Sequence, residues 1–113
     1  MRSTNLVIIR GYTGAEAKSF DNGKVAKISV ATNRVWTDRK SGEKKEVADW
    51  VTLTILNEKT AKWAIENVKK GDAIYAEGRV ADNSYEKNGK THYSTDIIVS
   101  VLDRLTPRAG DDE

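Results

Sequence analysis

The chain has 113 residues, with 19 basic and 17 acidic side chains, a formal net charge of +2 and no cysteine. This length suits one domain with a single core, and the lack of cysteine excludes a disulfide framework and a zinc-finger site. Because no apolar run approaches the roughly 18 residues of a membrane span and no secretory signal pattern is present, we expect a soluble cytoplasmic protein.

Two strands are predicted in the first third of the chain. The β-branched run LVIIR at residues 6–10 is typical of a short strand buried on both faces. The sequence DNG at residues 21–23 tolerates positive φ and predicts a turn. Residues 25–36 then alternate between apolar and polar side chains and predict a long strand that ends near Trp36.

A third strand is predicted at residues 47–56, VADWVTLTIL, after a polar hairpin loop at residues 37–48. Side chains alternate between the two faces of a strand. The face with Val51, Leu53 and Ile55 is therefore a core face, and the opposite face carries Trp50, Thr52, Thr54 and Leu56.

One helix is predicted next, from an N-cap at Asn57 to a stop at Gly71, which follows two lysines. Its buried stripe consists of Ala61, Ala64, Ile65 and Val68. Trp63 lies opposite that stripe, so we expect it to be exposed or in a contact.

Two further strands, at residues 72–80 and 95–105, flank a hairpin turn at Asn88-Gly89. Five strands with a helix between the third and fourth match an all-β, five-stranded Greek-key OB-fold barrel. An α+β sheet of another topology has the same element order and stays an alternative. We expect this domain to cover residues 1–105 and a short polar, acidic tail to occupy residues 106–113.

The residues offer little for catalysis. His92 is the only histidine, the carboxylates are scattered singly, and no glycine-rich phosphate loop or HExxH metal motif occurs. We therefore expect a protein that is not an enzyme and has no cofactor and no metal site.

The aromatic residues indicate a nucleic-acid surface instead. On an OB barrel, Trp36, Trp50 and Tyr85 border one groove, where rings stack on bases without regard to sequence and cations follow the phosphates. The alternative for each ring is that it fills a core or covers a loop, and the alternative for each cation is a solvated surface. The candidate cations are Arg34, Arg39, Lys59, Lys70 and Lys87.

The stretches ISVATNRVW, KSGEKKEVADWVTL, ENVKKGDAIYAEGRV and YEKNGKTHYSTDIIV closely resemble the bacterial single-stranded-DNA-binding protein (SSB) family. The resemblance implies an OB-fold homotetramer, or a dimer, that wraps single-stranded DNA and recruits replication and repair enzymes at the nucleoid. It implies base stacking by Trp36, Trp50 and Tyr85. Leu56 stands where the family sets a fourth ring, so it offers apolar contact without stacking. The chain also lacks the family's long tail with its Pro-Phe tip, so docking of partners through that tip is not expected.

The predicted function is sequence-nonspecific binding and protection of single-stranded DNA in replication, recombination or repair. The alternative is a non-catalytic, primosome-type assembly module with mainly protein contacts, and an oligosaccharide-binding OB domain is a third possibility. For the subunit contacts we expect the first strand and the outward face of the fourth strand around Tyr75.

Overall fold

The structure is a computed structural model that describes residues 1–106. These residues form one α-helix, a 3-10 turn at Asp21–Gly23 and eight strands. The elements are β1 Val7–Thr13, β2 Lys18–Phe20, β3 Val25–Thr37, β4 Lys44–Ile55, α1 Glu58–Asn67, β5 Ala73–Asp82, β6 Tyr85–Lys87, β7 Lys90–His92 and β8 Thr95–Arg104. The predicted tail falls outside the described residues from position 107 onward.

Five long strands close into a barrel. They follow the order β1, β5, β8, β4 and β3, and a second pairing of β1 with β3 closes the ring. The neighbours are antiparallel except β4 and β8, which are parallel. The helix lies between the third and fourth barrel strands in the chain. The predicted all-β OB-fold barrel with one helix is therefore confirmed.

The barrel interior is lined by the predicted core faces of β3, β4 and β5. The largest fully buried side chains are Ile28, Val30, Leu53, Ile55, Val68 and Ile74. The helix covers one end of this core with its predicted stripe, in which Ala61, Ala64 and Val68 are buried and Ile65 is half-buried. Trp63 is half-buried and packs against the same core.

The prediction of a loop at residues 37–48 is wrong. β3 and β4 pair continuously from Ala26 opposite Ile55 to Thr37 opposite Lys44, so only residues 38–43 form the turn. We call residues 32–49, which project past the barrel, the arm. No side chain of the arm is buried, so both of its faces meet solvent and its polar sequence is compatible with strand pairing.

The prediction that the first strand is buried on both faces is wrong for the single chain. Val7 and Ile9 are half-buried, whereas Leu6 and Ile8 are 62% and 56% exposed. Leu6 precedes β1, and Ile8 lies on the side of β1 that faces away from the barrel interior. The wall formed by β1 and β5 therefore has an apolar outer surface.

The predicted end of the helix is also wrong. The helix ends at Asn67 and Val68 is extended, at φ −85° and ψ 118°. The backbone N–H of Lys69 donates to the Asp72 carboxylate at 2.8 Å, and the Thr13 hydroxyl donates to the Lys69 carbonyl at 2.5 Å. A local bond to Asp72 and a bond to Thr13 of β1 thus replace the last helical turn.

The turns were located correctly. Asp21, Asn22 and Gly23 all have positive φ, as do Asn88 and Gly89 between β6 and β7. Residues 1–106 contain no helix with the length and apolar character needed to cross a bilayer.

Candidate nucleic-acid interface

Trp50 presents its indole on the outer surface of the barrel. It lies opposite Ala31 on β3 and is 59% exposed. Gly14 lies directly against the indole, because a Cβ at this position would be 2.5 Å from Cζ3 of Trp50. The Gly14 N–H donates to the Ser29 carbonyl at 3.0 Å, which ties this backbone to β3. The indole thus packs against the Gly14 backbone and is still more than half exposed to a ligand.

Trp36 lies on the arm and is 44% exposed. The Arg34 guanidinium carbon is 5.5 Å from the centre of its ring, within the range of a cation–π contact. Arg34 Nε also donates to Asp49 Oδ2 at 2.6 Å. The two charged side chains are 60% and 50% exposed, so the ion pair adds little stability, but it does hold the guanidinium beside the ring.

The structure does not bring Trp36 and Trp50 onto one face of the β3–β4 ribbon. Trp50 pairs with Ala31 and Trp36 pairs with Lys45, five residues farther along β3, in an unbroken register. Because side chains alternate, an odd separation places the two rings on opposite faces, about 17 Å apart along the strand. A bound strand that touches both rings must cross the edge of the arm.

Tyr85 lies on the β6–β7 hairpin and is 51% exposed. Its ring stacks on that of His92, the directly opposite residue, with centroids 5.2 Å apart and an interplanar angle of 16°. Lys87 and Lys90 are exposed at the end of the same hairpin. The hairpin thus combines a supported ring with two cations.

The remaining predicted residues are dispersed. Arg39 is exposed in the turn of the arm, and Leu56 is 54% exposed just after β4. Lys59 borders a shallow surface depression with Thr60, Trp63 and Leu102. Lys70 is exposed just after α1. Lys59 and Lys70 therefore lie on the helix side, away from the arm.

The two threonines on the Trp50 face of β4 differ in exposure. Thr52 is exposed, but Thr54 is 4% exposed because it lies between Lys27 on β3 and Ile98 on β8 in the sheet. Only Thr52 can face a ligand.

The structure contains a groove next to Trp50 that the sequence did not predict. Its volume is about 190 Å³, and its lining is Ala15, Glu16, Lys18, Phe20, Lys27, Ser29 and Thr52. Lys27 and Ser29 alternate with the buried Ala26, Ile28 and Val30 of β3 and therefore face outward. Phe20 was overlooked because no strand was predicted at residues 18–20, directly before the turn.

Two side chains with shifted pKa values lie away from these rings. Burial tends to raise the pKa of Asp72, but hydrogen bonds from Lys69 and Arg104 outweigh it and hold that pKa below its ordinary value. The hydrogen bond from Tyr75 to Glu77 raises the pKa of Tyr75. Within residues 1–106, no group of three or more histidine or acidic side chains is arranged to hold a metal ion.

Comparison with known proteins identifies the family to which the chain belongs. The single-strand binding protein family matches residues 5–105. The chain belongs to this family. A single-stranded DNA-binding protein from Rhizobium meliloti (strain 1021) is 33% identical over 117 residues, which cover 96% of this chain and 67% of that protein.

Solved structures of the single-strand binding family have the same fold. The Plasmodium falciparum SSB complex with ssDNA superposes with a TM-score of 0.78 at 26% identity, covering 94% of this chain and 98% of that one. A deletion mutant of the single-stranded DNA binding protein from Thermus aquaticus superposes with a TM-score of 0.75 at 24% identity, covering 94% of this chain and 52% of that one. The second similarity concerns the fold alone.

Proposed function

We propose that this chain binds and protects single-stranded DNA, without regard to sequence, in replication, recombination or repair. The observation that carries the proposal is Trp50, whose indole is exposed on the outer barrel surface and packs against Gly14. An exposed, immobilised ring stacks on any base, because every base has a π-face. Membership of the single-strand binding family supports the same function.

The other candidate residues take roles according to their positions. Trp36 and Tyr85 stack on bases, and Leu56 makes apolar contact only. Arg34, Arg39 and Lys87 neutralise phosphates along the arm and the hairpin. Lys59 and Lys70 contact only a strand that continues around the barrel to the helix side.

The relatives do not favour the assembly-module alternative. The Rhizobium meliloti protein is named for single-stranded DNA binding, and the Plasmodium falciparum structure is a complex with that ligand. If the present chain binds the same ligand, the exposure of Trp50, Trp36 and Tyr85 is explained. The proposed function places the protein in the cytoplasm, at the nucleoid, with residues 1–105 as the binding domain.

We also propose that the chain forms a homo-oligomer, a tetramer or else a dimer, through the outer face of β1. Leu6, Ile8 and Tyr12 are 62%, 56% and 59% exposed there. β5 covers one edge of β1, whereas in residues 1–106 the opposite edge pairs with β3 only at Tyr12 and Thr13. An open strand edge beside exposed apolar side chains is suited to pairing with a second copy.

Substitution of Trp50 tests the function. Trp50→Ala should weaken binding of a labelled oligo-dT by about 1–3 kcal/mol, the contribution of one stacked base, while Trp50→Phe keeps most of the affinity. Fluorescence anisotropy of the oligonucleotide measures binding without depending on the tryptophan removed. The logarithm of the affinity should fall with the logarithm of salt concentration at about −0.7 per phosphate contacted.

Two outcomes contradict the proposal. If the unsubstituted protein fails to bind oligo-dT at low salt, the function is wrong. If Trp50→Ala binds like the unsubstituted protein, Trp50 is not a stacking residue.

A further inference from the structure

The groove beside Trp50 has the features of a further binding site. Its lining contains none of the three aromatic residues described above. It lies on the outer face of β2, β3 and β4, and the strand register explains its lining. Lys18 is directly opposite Lys27, and Ser29 is directly opposite Thr52. Two ammonium groups therefore lie on one surface, above a floor that carries two small hydroxyl side chains.

Phe20 supplies a ring at the end of this groove. It is 45% exposed, and the Lys27 ammonium lies 5.4 Å from its ring centre. The three residues after Phe20 all have positive φ and reverse the chain at once, so Phe20 stays over the sheet. A large apolar ring remains accessible in a position that the barrel core does not require.

The charges of the groove favour an anion. Glu16 is the one acidic residue of its lining, and its carboxylate is 3.8 Å from the Lys69 ammonium. Lys18 and Lys27 thus face an acidic side chain that already has a cationic partner.

The position and size of the groove favour a nucleotide of a longer strand. Thr52 is two residues from Trp50 on the same face of β4, about 7 Å along the strand. The groove volume is about 190 Å³. Sites that enclose a drug-sized ligand measure roughly 300–1,000 Å³, so this groove fits a single base better than a separate small molecule.

We propose that the groove binds a further nucleotide of the single strand held by Trp50, with its base on Phe20 and its phosphate between Lys18 and Lys27. This proposal rests on the proposed function, since it extends the same bound strand across β3 toward β2. The site gives the protein an additional stacking ring on the barrel itself, independent of the arm and the hairpin.

Replacement of the ring tests the stacking contact. Phe20→Leu keeps an apolar side chain and should weaken binding of oligo-dT at least about 5-fold, whereas Phe20→Tyr keeps the ring and the affinity. Thermal unfolding of both variants checks that the fold is retained. We expect it to be, because the Phe20 side chain is nearly half exposed. Equal binding by Phe20→Leu and the unsubstituted protein overturns the proposal, as does equal loss in both variants.

Replacement of the cations tests the phosphate contact. Lys18→Gln and Lys27→Gln combined should reduce the salt dependence of oligo-dT binding by about 0.7 in slope, the value for one phosphate, and each single variant should reduce it by part of that amount. Lys62→Gln on the helix, whose ammonium is 3.5 Å from Glu58, is the matched control and should leave the slope unchanged. Unchanged slopes in both groove variants overturn the phosphate site.

The two proposals fail in different ways. Binding of oligo-dT by the unsubstituted protein, together with unchanged Phe20 and lysine variants, refutes the groove site and leaves the proposed function intact. Absence of binding by the unsubstituted protein refutes the proposed function itself.

Discussion

A single glycine explains how Trp50 is available to a ligand. Exposed tryptophan side chains are free to change rotamer, and binding then costs the entropy of fixing them. Gly14 has no Cβ to occupy the space of the indole, so Cζ3 and Cη2 of the ring lie against the backbone while the side chain stays 59% exposed. The ring is thereby arranged before the ligand arrives.

Asp72 has a structural role at the end of the helix. Its carboxylate accepts from the Lys69 N–H at 2.8 Å and from Arg104 Nε at 3.0 Å. The Asp72 and Arg104 side chains are only 9% and 16% exposed. This buried pair joins the segment after α1 to β8, which brings two distant parts of the chain together.

Loss of the Asp72 charge should destabilise the fold. Asp72→Asn leaves Arg104 without its buried anion, and we expect the free energy of unfolding at about pH 7 to fall by about 2–3 kcal/mol. Urea unfolding measures this change. Glu66→Gln, the same loss of charge at an exposed helix position, is the control and should have little effect.

The same variant should change the response to acid. Because the folded state lowers the pKa of Asp72, its contribution to stability is present above the ordinary carboxyl pKa and is lost as the pH falls through the folded pKa. The stability difference between the unsubstituted protein and Asp72→Asn should therefore shrink below about pH 4. A difference that stays constant down to about pH 2 would contradict this account.

At the scale of elements, Arg34 on the arm pairs with Asp49, and in the proposed complex a DNA phosphate would compete for the same guanidinium. Asp49 holds its guanidinium in the free protein, at 2.6 Å. A DNA phosphate needs the same donors. The carboxylate therefore orients the cation beside Trp36 but also opposes its transfer to the ligand.

Removal of this competitor should strengthen binding. Asp49→Asn frees Arg34, and we expect the affinity for oligo-dT to rise by up to about 5-fold, the value of an exposed ion pair. The salt dependence should also become steeper by about 0.7 in slope. Titrations at several salt concentrations measure both effects.

Glu46→Gln is the matched control for this prediction. It removes one negative charge from the same arm, but its position opposite Val35 places it on the other face from Arg34. If Asp49→Asn and Glu46→Gln act equally, the effect is one of general charge. Weaker binding by Asp49→Asn would show that orienting Arg34 matters more than releasing it.

At the scale of the whole molecule, the outer surface of β1 is the apolar part of the barrel that the single chain leaves open. Ile8 lies directly opposite Glu77 on β5, and Arg10 lies opposite Tyr75. These neighbours give the surface an apolar centre and charged positions of both signs. Burial of this surface in an oligomer would remove Ile8 from water.

A charge at Ile8 should therefore disrupt the proposed oligomer. Ile8→Lys places an ammonium group opposite Glu77, which a folded single chain tolerates but an apolar contact between copies does not. Light scattering at several concentrations should show a lower mass than for the unsubstituted protein. Val35→Lys, at a 59% exposed position of the arm, is the control. An unchanged mass for Ile8→Lys would place the contact elsewhere.

The amino-acid sequence determined the barrel. Alternation in β3, β4 and β5, the helix between β4 and β5, and the turns at residues 21–23 and Asn88-Gly89 all follow from side-chain chemistry within a few residues. The exposure of Trp50 also followed, because it lies opposite the core face of β4. Trp36 continues the core face of β3 and is exposed only because the arm projects past the barrel.

The tertiary structure decided what depends on contacts between distant segments. The polar residues 37–48 pair as strands because β3 and β4 meet in register, and α1 ends early because Thr13 and Asp72 bind Lys69, two residues after the helix, in a non-helical arrangement. The opposite faces of Trp36 and Trp50, the support of Trp50 by Gly14 and the groove at Phe20 likewise need the register. Local patterns specify which face of a strand a side chain takes, but only the assembled sheet specifies which side chains become neighbours.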